Sequence, residues 1–184
     1  MQILRGDSPK TLWQAVVQEA ETSCAIKLND ELEAYLITLL IRYVDQPELA
    51  HQLFAKRFLE ASQAASYERS IMLKKIGDEC LLYAGLFPKS AEAKAVKLNY
   101  FVDLGQSAYA GISLSAHDLY GALAYQFIRL MDVLQSIRSD HDLLPLEAYE
   151  RWQEFGSERA LRMLESYTCA SDQTIHSRLP VRHK

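Results

Sequence analysis

A chain of 184 residues in which 49 % are apolar and 24 % charged has the composition of one globular domain with a core of its own. Its net charge of −4 argues against broad binding to nucleic acid or an anionic membrane, both of which need a basic surface. Cys24, Cys80 and Cys169 are odd in number and widely spaced, with no CxxC pair for zinc or redox chemistry, so reduced thiols in a cytoplasmic protein are expected.

The opening MQILRGDSPK carries charge by its fifth residue and has no apolar core, so it does not read as a signal peptide. Ser8 followed by Pro9 predicts an N-cap and first helical position, with a helix to about Cys24. Asp30-x-x-Glu33 has the form of a capping box. It introduces Leu32, Leu36, Leu39, Leu40 and Tyr43 at helical spacing. The longest apolar run, Ala34 to Ile41, is broken by Thr38 and too short to span a bilayer. Pro47 ends this region and starts a helix through Leu49, Leu53 and Leu59.

A fourth helix is expected from about Tyr67 to just before Pro88, since proline disfavours helical geometry at the residue preceding it. Ser90 to Leu98 reads as a short helix or turn. Asn99 to Ile112 reads as a helix with Phe101, Leu104, Gly105, Ala108 and Ile112 on one side. Ser115-x-x-Asp118 is a second candidate capping box, ahead of a long helix that aligns Leu119, Leu123, Phe127, Leu130, Leu134 and Ile137. The last helix runs from about Pro145 to Tyr167, with a bend at Gly156, and residues 168–184 read as a loose, mildly basic tail. No segment alternates with the period of a strand. The expected fold is all-α: an antiparallel bundle of seven or eight helices with short connections, forming one domain over residues 1–167.

Five of the seven glycines lie between Gly77 and Gly121, in helical pattern. Each costs about 1 kcal/mol against alanine there, and close approach of packed helices is the economical reason. In the same region Asp78 and Glu79 open an apolar stretch. Asp78 points away from Leu73, Ile76, Cys80 and Phe87, yet its own side is flanked by Ile71, Leu81, Leu82 and Gly85. A helix apolar nearly all round is buried, so Asp78 is expected to be partly buried. Pairing with Lys74, or acceptance of backbone N–H groups at a neighbouring helix start, takes precedence over a catalytic role.

The pattern Gly77-Asp78…Leu81-Leu82…Gly85-Leu86-Phe87-Pro88, followed by Asn99-Tyr100-Phe101…Leu104-Gly105…Ala108-Tyr109, resembles a family of uncharacterised helical proteins from proteobacteria. The match covers about a quarter of the chain. The resemblance implies no activity, substrate or cofactor.

Among chemical constellations, Glu48-x-x-His51 has the spacing of half a di-iron site, but no second pair completes it. His117-Asp118 is the doublet of an HD-type metal-dependent phosphohydrolase, with His51, Asp132 and Asp140 as candidate further ligands. Asp118 also fits the helix cap, and that reading takes precedence. No GxSxG elbow, P-loop or GxGxxG occurs. Tyr83, Tyr100, Tyr109, Tyr120 and Tyr125 crowd the glycine-rich centre, where they fill a core or line a ligand pocket or interface. Gln126 falls on an apolar stripe and needs a buried partner or a polar interface.

The expected function is that of a non-enzymatic interaction or regulatory protein, self-associating as a homodimer, with no cofactor and neither membrane nor nucleic acid as partner. The candidate interface holds Asp78, Glu79, Tyr83, Tyr100, Tyr109, Tyr125 and Gln126. The alternatives are the phosphohydrolase, on His51, His117 and Asp118, and a bundle that binds a small ligand.

Overall fold

The computed structural model describes residues 8–45, 54–88, 97–114, 118–137 and 143–176, with side chains of 44, 45 and 168–176 outside the description. Nine helices and no strand occur among the described residues: α1 Pro9–Cys24, α2 Asp30–Asp45, α3 Phe54–Gln63, α4 Ser66–Leu86, α5 Leu98–Ala110, α6 Leu119–Tyr125, α7 Phe127–Ile137, α8 Pro145–Phe155 and α9 Glu158–His176. The all-α bundle is as expected; the count is higher because two long helices are each divided. The stretches around His51, Pro47, Ser90 and Ser115–His117 lie outside the described residues.

The first division is at Gln126, whose backbone (φ −98°, ψ 17°) leaves helical geometry between α6 and α7. The apolar stripe survives it, because Leu123, Phe127, Leu130 and Leu134 are all fully buried. The second is at Gly156, which takes φ +66°, the left-handed conformation that glycine alone adopts without penalty. What reads as one bent helix is therefore a tight hairpin of α8 and α9. Tyr167 closes it, donating from its hydroxyl to the carbonyl of Leu143 at 2.9 Å. Helix α9 then continues to His176, past the expected end at Tyr167, since no glycine or proline intervenes between Gly156 and Pro180.

Side-chain caps account for the starts of α1, α2 and α6. Ser8 accepts from the Thr11 N–H, as its sequence position suggests. At α2 the cap is Asn29, not Asp30: its Oδ1 accepts from the Leu32 N–H at 2.8 Å. Glu33, released from capping, accepts from Gln18 and Lys27 instead. At α6 the cap is Asp118 itself, whose Oδ1 accepts from the Gly121 N–H at 2.7 Å.

Helix α4 is the axis of the molecule. It packs on α3, α5 and α7, while α1 packs on α2 and α7 and α6 bridges α5 and α2. From Leu73 onward nearly every α4 residue is buried. The glycines explain how one helix can be surrounded. A Cβ on Gly85 would lie 2.5 Å from the Cβ of Leu134, and one on Gly105 would lie 2.4 Å from the Phe127 ring. Side chains of neighbouring helices rest on bare backbone at these points. Helices α4 and α5 run antiparallel, with Gly77 beside Tyr109 and Tyr83 stacked on Phe101 at 5.4 Å.

The main core draws on α1 to α7. The α8–α9 hairpin has a separate cluster of Leu143, Ala148 and Ala160 with Met163 and Leu164. Among the described residues of the hairpin, Phe155 packs on the main core.

Candidate functional site

The position of Asp78 on α4 follows from the surrounding packing. It is 6 % exposed, and a carboxylate this deep needs donors on both oxygens. Gly77, one residue earlier, supplies the means. A Cβ there would lie 2.7–2.9 Å from the Tyr109 ring, so the missing side chain lets that ring lie flush against α4. The Tyr109 hydroxyl then donates to Asp78 Oδ1 at 2.8 Å. The Tyr35 hydroxyl, from α2, donates to the same oxygen at 2.5 Å. Oδ2 accepts from Lys74 Nζ at 3.0 Å and from Arg42 Nη2 at 3.1 Å. Four donors from three helices thus meet on one carboxylate.

The aromatic surroundings complete the cluster. Tyr35 meets Tyr109 edge to face at 6.4 Å, and Tyr120 packs against Tyr109 at 6.4 Å. Lys74 Nζ lies 5.1 Å from the centre of the Tyr35 ring, within cation–π range. Burial, followed by the charge of Asp78, pushes the hydroxyls of Tyr35 and Tyr109 well above their ordinary pKa and raises that of Tyr120. They are donors at every physiological pH.

Glu79 points the other way and pairs with Arg57 of α3, with both side chains largely buried. The adjacent carboxylates therefore tie α4 to different neighbours: Asp78 to α2 and α5, Glu79 to α3.

A second polar centre joins α7 to the hairpin. Asp132, almost wholly buried, accepts from the Ser157 hydroxyl at 2.8 and 2.9 Å and from the Arg159 N–H at 3.3 Å. Ser157 in turn caps α9, its Oγ accepting from the Ala160 N–H at 3.1 Å. Burial raises the Asp132 carboxyl to about 6, against the lowering effect of these hydrogen bonds. One turn on, Gln135 donates to the Ala84 carbonyl at 2.9 Å and accepts from Arg151 and Arg159 at 3.2 and 3.4 Å. The Cys24 thiol, beside Ser136 and Asp132, is raised by burial, as is the Cys80 thiol at the centre of α4. Neither is a ready nucleophile.

The sequence-based candidates divide accordingly. Asp78 and Tyr109 meet inside a single chain, and their burial leaves neither on an outer surface. Tyr83 is buried in an aromatic cluster with Phe54, Phe87 and Phe101. Tyr100 is partly exposed, Tyr125 is largely exposed, and Gln126 is half-buried at the break between α6 and α7. Asp118 directs Oδ2 to the Leu114 N–H at 2.6 Å and Oδ1 to the Gly121 N–H and the Ser113 hydroxyl. Its carboxylate organises a helix start, while His51 and His117 lie outside the described residues. No group of three or more potential metal ligands gathers among the described residues, and no helix there is long and apolar enough to cross a membrane.

Tyr35 and Arg42 went unnoticed in the sequence, although they lie seven residues apart and so share one face of α2. That spacing is the available signal. It says nothing of the partner 36 to 43 residues away. Comparison with protein-family models, with curated proteins and with solved structures returns no match to this chain.

Proposed function

We propose that this chain is a cytoplasmic interaction or regulatory protein that works by association and not by turnover, its first partner being a second copy of itself. One observation carries the reading: α8 leaves Leu146, Tyr149 and Trp152 on its outer face at 68 %, 43 % and 40 % exposure. Their spacing of three residues makes one continuous stripe on the helix. Tyrosine and tryptophan are the side chains that most often anchor protein interfaces.

The second copy is favoured because the apolar stripe is complementary to itself. In an antiparallel pair of α8 helices with a two-fold axis at Tyr149, Trp152 faces the partner's Leu146. Tyr149 then faces its own copy across the axis. The surface differs from the one expected in the sequence, because Asp78 and Tyr109 are used internally.

Helix α8 is about 16 Å long at 1.5 Å per residue. One such face buries less than the roughly 800 Å² per partner of a stable complex, so the association should be weak and concentration-dependent. Sedimentation should show the average mass rising above the monomer value as protein concentration increases. The double variant Leu146→Glu, Trp152→Glu should stay monomeric throughout. A wild-type chain that is strictly monomeric at high concentration would rule out self-association.

A further inference from the structure

The Asp78 cluster contains more positive charge than its carboxylate requires. One cation neutralises a carboxylate. Here Oδ1 already has two tyrosine hydroxyls, and Oδ2 has both Arg42 and Lys74, at 3.1 and 3.0 Å. The three charged groups sum to +1. The two cationic heads share one acceptor atom, so they lie within about 6 Å of each other by the sum of the two bond lengths.

Both heads also reach solvent. The Arg42 side chain is 51 % exposed and that of Lys74 is 30 % exposed, whereas the carboxylate below them is 8 % exposed. Guanidinium has five N–H donors and ammonium three, and Asp78 accepts one from each. The other donors are held close together by a buried anchor that shares α4 with Lys74 and faces Arg42 across from α2. Tyr35 supports Lys74 from below, and Tyr120 stands near enough to feel the charges of both Asp78 and Arg42. Asp118, which lies near Tyr120, has both oxygens engaged by backbone N–H groups.

We propose that Arg42 and Lys74, held by the buried Asp78 and bordered by Tyr35 and Tyr120, form a binding site for a dianionic phosphate group. A forked guanidinium beside a point-like ammonium matches the oxygens of such a group. The low exposure of Asp78 means that the site is arranged before the ligand arrives, which lowers the ordering cost of binding. The phosphate is either free or the terminal group of a monoester, and the aromatic border suits a ring attached to it.

The test is thermal unfolding of the full chain in inorganic phosphate or phenyl phosphate, against sodium chloride at matched ionic strength. The expected result is a Tm rise of several degrees at tens of millimolar ligand, following the linkage between binding and stability. A larger rise with phenyl phosphate identifies a monoester site; an equal rise identifies free phosphate. Arg42→Gln and Lys74→Gln should each weaken the apparent affinity by about tenfold, the scale of a charged hydrogen bond. Lys74→Arg should keep most of the response. Lys27→Gln should keep all of it, because Lys27 is already bridged by Glu21 and Glu33. If Arg42→Gln fails to fold, the pair Lys74→Gln and Lys74→Arg decides alone. No ligand-specific rise in the wild type, or a rise undiminished in both Gln variants, overturns the proposal.

Discussion

Gly77 and Tyr109 depend on each other at the scale of single atoms. The ring that presses on Gly77 is fully buried and belongs to the side chain that donates to Asp78. A methyl group at position 77 gains about 1 kcal/mol of helix propensity. It must also displace a locked ring by several tenths of an ångström, and overpacking of this kind costs about 1–3 kcal/mol. Moving the ring draws its hydroxyl away from a buried carboxylate, which costs about 1–3 kcal/mol more. Gly77→Ala should therefore destabilise the fold by roughly 2 kcal/mol or more, measured as a lower urea midpoint with unchanged slope. A variant as stable as the wild type would show that the ring has room to move. The depth of Asp78 was legible in the sequence, since an apolar surround on all sides predicts burial. Its pairing with Lys74 was legible as well, being local. Tyr35, Arg42 and Tyr109 were not legible as its partners, because contacts between helices depend on how those helices rotate against each other.

At the scale of elements, the junction of α7 with α9 is a titrating joint. Asp132 is raised to about 6 in the folded chain and returns to an ordinary value near 4 when the chain unfolds. The folded state therefore holds its proton more firmly between those two values. The contribution of this carboxyl is fully present below about pH 4 and is lost as pH rises through about 6. The full swing is on the order of 3 kcal/mol. Other groups titrate in the same range, so the difference between wild type and Asp132→Asn is the quantity to follow. The stability of the wild type relative to that variant should decline from pH 4 to pH 7 in urea unfolding. A constant difference would show that Asp132 titrates normally. Sequence patterning read α8 and α9 as one helix with a bend at Gly156. Glycine at position 156 announces a stop, while the polar stitch from Ser157 to Asp132 spans 25 residues and leaves no periodic trace. The capping boxes show the same limit. Asn29 and Asp118 are both good caps, and spacing alone did not say which residue of each cluster would serve.

Over the whole molecule, cohesion is unequal. The bundle from α1 to α7 shares one apolar core. The α8–α9 hairpin keeps a small cluster of its own and reaches the bundle through Phe155 and polar side chains. Those polar links include Ser157 and Arg159 to Asp132, Arg151 and Arg159 to Gln135, Arg129 to Glu158, and Arg162 to the Ala25 carbonyl. Regions with few buried apolar contacts open at lower free energy than the global transition. Amide hydrogen exchange should accordingly show α8 and the first turns of α9 losing protection before α4 and α7. Protection equal to that of α4 would mean that the hairpin unfolds only with the rest. The overall class was legible from periodicity alone, because helices such as α2, α5 and α7 each bury an apolar stripe. The partition into bundle and hairpin was not, since both halves use the same leucines and alanines.

That partition bears on how such a chain can change over generations. A substitution within α4 must be accommodated by three neighbouring helices at once. One on the outer face of α8 disturbs only the hairpin. The apolar stripe of α8 can therefore be exchanged, lengthened or recharged while the bundle beneath it stays as it is. New associations can be tried there without endangering the fold that presents them.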